Sequence, residues 1–175
     1  MISAFFGVLW TEWGASGVPG AASGAVRIAG LVVGFVIFVW SAGQWRAARR
    51  ERGAVPMAPP LEGPGSMFSS RAFLLVAAVE VAATWLVAAT GHPDYVIVWV
   101  AAVVGAHFLA FGRLFWAGFY WLGTALIAAG IAGATVGLAG GGPSCIKATV
   151  GLMAAATLFV AGGWSVVSAR ASVHV

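Results

Sequence analysis

Charge is what this sequence has least of. Only 8% of its 175 residues are Asp, Glu, Lys or Arg, against roughly 25% in ordinary soluble domains. With 61% of residues hydrophobic, a chain of this size lacks the polar shell that water demands, and lipid is the solvent that fits. Cysteine is nearly absent as well. The single Cys145 excludes a disulfide framework within the chain, and no Cys/His cluster resembles a zinc site. There is no G-x-x-x-x-G-K-S/T phosphate loop, so the chain does not drive transport with an ATPase of its own. No pair of intramembrane histidines is placed to ligate haem on both faces, and no paired aspartates suggest an intramembrane protease. Ser165 and Ser168 have no visible base partner. No cofactor or metal is expected, and enzyme activity is disfavoured. The start, Met1-Ile-Ser-Ala-Phe-Phe, has no basic segment, so no cleaved signal peptide is read there.

What is present is a series of long apolar runs. A membrane-crossing helix needs ~20 mostly apolar residues. Ala25–Gly43, Phe73–Thr90, Tyr95–Phe111 and Ala117–Leu138 qualify, and Ala148–Val167 follows the breaker Gly140-Gly-Gly-Pro-Ser-Cys. The opening stretch Ile2–Val18 is apolar and aromatic, yet it carries Glu12 and ends in Gly17-Val-Pro-Gly. It reads as a short first span, a re-entrant segment or an interfacial helix. The expectation is therefore one all-α transmembrane bundle over residues 1–175 with six spans, five being the alternative.

The formal charge of +4 does not point to nucleic acid, because the basic residues flank apolar runs instead of gathering on one face. Threading the chain alternately puts Arg46, Arg49, Arg50, Arg52, Arg71, Arg113 and Arg170 on one side, and Arg27 and Lys147 on the other. The positive-inside rule then makes the first side, and the C-terminus, cytoplasmic. Residues 44–66, rich in Pro and Gly, read as a flexible basic cytoplasmic linker. Its arginines Arg46, Arg49, Arg50 and Arg52 are placed to meet anionic lipid headgroups. The spacing W-S-x4-R-A occurs at both Trp40–Ala47 and Trp164–Ala171, as a threefold hairpin repeat or as the usual interfacial tryptophan and arginine anchors. The aromatics from Phe115 to Trp121 read as an interfacial belt. Gly123, Gly130, Gly133 and Gly137 recur at helical spacing and read as a close helix–helix seam.

Ionisable residues within spans are rare because a charge in hydrocarbon costs at least ~2.5 kcal/mol. Glu80 and His107 stand out, with Glu12 in the first segment. The short loop Gly91-His-Pro-Asp94 makes the helices of Glu80 and His107 antiparallel neighbours. Counted from that loop, Glu80 lies about ten residues deep and His107 about twelve, a difference of only ~3 Å. A carboxylate beside an imidazole can share or pass a proton. Arg113, about one and a half turns beyond His107, either anchors its helix or closes the cytoplasmic end of a site.

The stretch Gly105-Ala-His107-Phe108-Leu109-Ala-Phe-Gly-Arg113-Leu114-Phe115, preceded by a span with a buried Glu, resembles a family of small bacterial multi-pass membrane proteins carrying G-x-H-F-L-x-x-x-R-L-F. The resemblance implies interest in Glu80, His107 and Arg113, and supplies no substrate. The alanine-, glycine- and leucine-rich composition, with arginine outnumbering lysine eight to one, suggests a high-GC bacterium and its cytoplasmic membrane. Three functions are compatible with these residues: a transporter or membrane-embedded binding subunit for a small molecule or ion, a structural or regulatory partner (homo-oligomer or subunit of a membrane complex), or, last, a lipid-handling enzyme.

Overall fold

The computed structural model describes residues 2–52, 70–114 and 117–171. Among them every regular element is helical. In chain order these are α1 (Ile2–Ala15), α2 (Ala21–Arg52), α3 (Ser70–Ala89), α4 (Val96–Leu114), α5 (Gly118–Leu138) and α6 (Pro143–Ala171), with a 3-10 turn at Pro93–Tyr95 leading into α4. Four stretches are long and apolar enough to cross a membrane: Ala21–Ala47, Pro93–Gly112, Gly118–Leu138 and Pro143–Ser165. The 14 residues of α1 give ~21 Å of helix, less than the ~30 Å of a hydrocarbon core. In α3, Glu80–Ala89 is apolar.

Two boundaries differ from expectation. Residues 44–52, expected to begin a flexible linker, continue α2 as helix. Gln, Arg, Ala and Glu are all good helix formers, and the nearest Pro stands beyond Arg52. Residues 53–66 of that linker lie outside the described residues. The last helix starts at Pro143, not Ala148, because a proline at the first helical position gives up only an N–H that has no helical partner.

The helices form three hairpins whose turns meet at one end. Gly17 lies against the backbone of Ser144 and Ala148, and Gly137 against the Tyr95 hydroxyl. Lys147 Nζ is 3.9 Å from Asp94 Oδ1. Each turn carries one left-handed glycine: Gly20, Gly91 and Gly140. At Gly140 (φ 84) the cap is complete: its N–H donates to the Gly137 carbonyl and the Gly141 N–H to Val136, 3.1 and 2.9 Å, which satisfies carbonyls that a helix end leaves open.

Packing follows glycine contacts. Helix α1 packs on α2 and α6, α6 on α5, and α5 on α4; α3 rests on α4 and the 3-10 turn. Helices α4 and α5 cross where Gly105 faces Gly123: a Cβ on either would lie 2.7 or 2.6 Å from the other's carbonyl oxygen. A second crossing sets Gly14 of α1 on Gly151 of α6. Small residues at such crossings let backbones approach closely.

The interior is built largely from small residues. Ala15, Ala101, Ala129 and Ala154 are fully buried, and Ala101 and Ala154 share one core cluster with Ile97, Leu126, Val150 and Trp10. Large apolar side chains point outward: Leu138 is 85% exposed and Trp121 82%. On a water-soluble protein such a surface would drive association; facing lipid, it is the expected exterior.

Candidate functional site

Helix α4 presents Val96, Val100, Val103 and Val104 at helical spacing, with His107 next on that face. Helix α3 turns Glu80, Val81, Thr84, Trp85 and Ala88 toward them. Between the two helices runs an open groove of about 440 Å³, lined by these residues but not by His107. Apart from Glu80 and Thr84 its lining is apolar. It faces outward, because Val81 and Trp85 are 71% and 72% exposed.

Glu80 stands between the groove and the imidazole. His107 Nε2 is 2.7 Å from Glu80 Oε1. Oε1 is buried and makes no hydrogen bond among the described residues, so its meeting with Nε2 is an ion-pair contact by distance. The second ring nitrogen, Nδ1, is 2.9 Å from the Val103 carbonyl. A carbonyl oxygen only accepts, so Nδ1 carries a proton and donates. That assignment leaves Nε2 facing the carboxyl group. One further proton can sit on Nε2 or on Glu80, and either way the pair is neutral overall; without it the pair carries one negative charge. Phe111 packs its edge toward the imidazole (centroids 6.4 Å apart, planes at 67°), and Phe108 stacks on Phe119 of α5 at 5.6 Å. These rings hold the α4 face that carries His107. Phe119 thus turns into the bundle, whereas Tyr120 and Trp121 remain exposed; Phe115 and Trp116 lie outside the described residues.

Of the other expected site residues, Glu12 lies apart from this arrangement. Glu12 Oε2 lies 3.5 Å from Arg27 Nε, on α1 and α2, which pack against α6. Arg113 falls in the last turn of α4, and its side chain lies outside the described residues. Of the four arginines assigned to headgroups, Arg46 and Arg50 are exposed on α2; the side chains of Arg49 and Arg52 lie outside the described residues. No group of three or more His, Cys, Asp or Glu able to hold a metal occurs among the described residues.

Sequence reading missed the groove. Its signal was present as period-four spacing of Val96, Val100 and Val104 against Glu80, Thr84 and Ala88, but on an all-apolar helix that spacing does not say which face meets a neighbour. The chain matches no known family model, and no curated protein or solved structure is detectably similar to it.

Proposed function

We propose that this chain is a multi-pass protein of the bacterial cytoplasmic membrane that binds, and moves across the bilayer, a small molecule or ion through a proton-exchanging site at Glu80 and His107. One observation carries the reading: an acid and a base in contact at 2.7 Å within apolar helices, with the acid forming part of a groove wall. Intramembrane ionisable residues are costly and mark binding sites and proton relays. A purely structural polar contact needs no open groove on the far side of the carboxylate.

The charge distribution supports the orientation with the C-terminus cytoplasmic. At the turn end Arg27 and Lys147 each meet a carboxylate, so that end is electrically balanced. By helix alternation the seven remaining arginines share the other end with Glu51 and Glu62 alone. An uncompensated arginine excess on one side is the cytoplasmic signature, and it leaves Arg46, Arg49, Arg50 and Arg52 for anionic headgroups.

A second reading, a non-catalytic subunit or homo-oligomer, draws on α2. Phe35, Val36, Val39 and Trp40 line an outward depression of about 420 Å³ that could seat another helix instead of lipid. Native mass spectrometry of the wild type and Glu80→Gln, extracted gently from their own membrane, separates the two. Transport or substrate binding predicts a reproducible small added mass on the wild type that Glu80→Gln loses while its melting temperature holds. Co-release of another protein without a small ligand, or identical spectra, would favour the subunit reading.

A further inference from the structure

We infer that the groove between α3 and α4 takes an amphiphilic monovalent cation, in exchange for the single proton that Glu80 and His107 share. This inference rests on reading the pair as a proton-exchanging site, and it adds the chemical class of the ligand and the stoichiometry.

The ligand class follows from the lining. One wall offers a carboxyl group and a hydroxyl, Glu80 and Thr84; the rest is Val81, Trp85, Ala88 and the α4 valines. A volume of about 440 Å³ lies within the range of small-molecule sites. Glu80 commits Oε1 to His107 and leaves Oε2 for the ligand. His107 does not line the groove, and among the described residues that line it no positive group meets an incoming anion. Trp85 adds a ring face, the surface to which a cation is drawn. The groove opens on the lipid side, so an amphiphile dissolved in the bilayer can enter without crossing water.

The stoichiometry follows from charge. Within α3 and α4 between the 3-10 turn and the arginine end, Glu80 and His107 are the titratable groups; Asp94 and Tyr95 belong to the turn, and Arg71 and Arg113 to the opposite ends of those helices. Helix α5, packed behind α4, carries Tyr120 alone. With one proton between Nε2 and Oε1 the pair is neutral. A monocation added on top leaves a net positive charge in apolar surroundings, which is costly. Release of the shared proton to water restores neutrality: the carboxylate faces the cation through Oε2, and the imidazole keeps only its Nδ1 proton on Val103. The exchange is one cation for one proton, and no covalent bond to the ligand forms. His107 acts here as a positioning and proton-holding residue, not as a ligand contact.

The test uses the full chain in nanodiscs of zwitterionic lipid, with tetraphenylphosphonium and its oppositely charged counterpart tetraphenylborate as probes. Equilibrium dialysis against empty nanodiscs should give saturable phosphonium binding of about one per chain and no saturable borate binding. In weak buffer with a pH indicator, about one proton should appear per phosphonium bound. Glu80→Gln should abolish both signals. Trp85→Ala, on a largely exposed side chain that does not hold the core, should weaken phosphonium binding about fivefold. Equal binding of the two probes, binding without proton release, or Glu80→Gln binding like the wild type would each overturn the proposal. Loss of phosphonium binding in a protein that still carries a Glu80-dependent native ligand would overturn the cation assignment while leaving the site reading intact.

Discussion

At the scale of single residues, the protein places its rare polar groups in pairs. Three carboxylates among the described residues each meet a basic group: Glu12 has Arg27, Glu80 has His107, and Asp94 has Lys147. These pairs differ in position. The first and third lie toward the turn end, where water screens them and their stabilising value is small. Glu80 and His107 lie near the middle of their helices, with side chains still 35% and 37% exposed to whatever fills the groove. A double-mutant cycle with Glu80→Ala and His107→Ala, read by equilibrium unfolding in mixed micelles, should therefore give a coupling of about 0.6 kcal/mol and under ~1.7 kcal/mol, the range of polar contacts between membrane helices. A coupling of ~3 kcal/mol or more would instead describe a buried structural ion pair. The Glu80–His107 contact was legible from the sequence because a short turn fixes two helices antiparallel, and depth then becomes a matter of counting. The Arg27–Glu12 pair was not. Arg27 was counted for topology, and nothing in the sequence says that α1 and α2 turn those two side chains toward each other.

At the scale of elements, glycine decides where helices end and where they touch. Gly140 adopts φ 84 at the α5 cap, and Gly140→Ala should cost about 1 kcal/mol by forcing a Cβ into left-handed backbone; a thermal unfolding curve reads the loss. Gly105 has no room for a side chain, because an added Cβ meets the Gly123 carbonyl and the Ile127 backbone. Gly105→Ala should destabilise by ~1–3 kcal/mol through overpacking. Gly43, also helical, has nothing within 4 Å of its Cβ position, and Gly43→Ala should stabilise by ~0.5 kcal/mol through backbone entropy. Opposite signs from the same substitution are the outcome to check. The seam on α5 was visible as spaced glycines, whereas the α1–α6 crossing was not, since Gly14 and Gly151 are isolated in sequence and gain meaning only face to face. The run of arginines after Gly43 read as a loop because it was grouped with the Pro- and Gly-rich residues that follow it. Helix propensity, which favours Gln, Arg and Ala alike, carried α2 on to Arg52.

At the scale of the whole molecule, the arrangement is inside-out in apolar size and asymmetric in charge. Small residues fill the interior and large ones the exterior, and the hairpin turns gather at one balanced end. Composition made the solvent legible, and long apolar runs made the helices legible. Packing order was not, because a helix that is apolar on every side has no polar stripe to mark which face turns outward. The orientation has a convenient probe: Cys145, the only cysteine, is exposed beside the α5–α6 turn. A membrane-impermeant maleimide should label it in intact cells without permeabilisation. Labelling that requires permeabilised cells would invert the topology.

The functional reading stands on one shared proton between Glu80 and His107, with Nδ1 of His107 held by Val103. Nitrogen-15 NMR of histidine-labelled protein in nanodiscs addresses it directly, since the chain has three histidines and Glu80→Gln should move the Nε2 signal of one. The pairing predicts that His107 keeps a protonated Nδ1 in both proteins and shifts at Nε2 in Glu80→Gln, while His92 and His174 stay still. A His107 spectrum unchanged by Glu80→Gln, or one with a bare Nδ1, would contradict it.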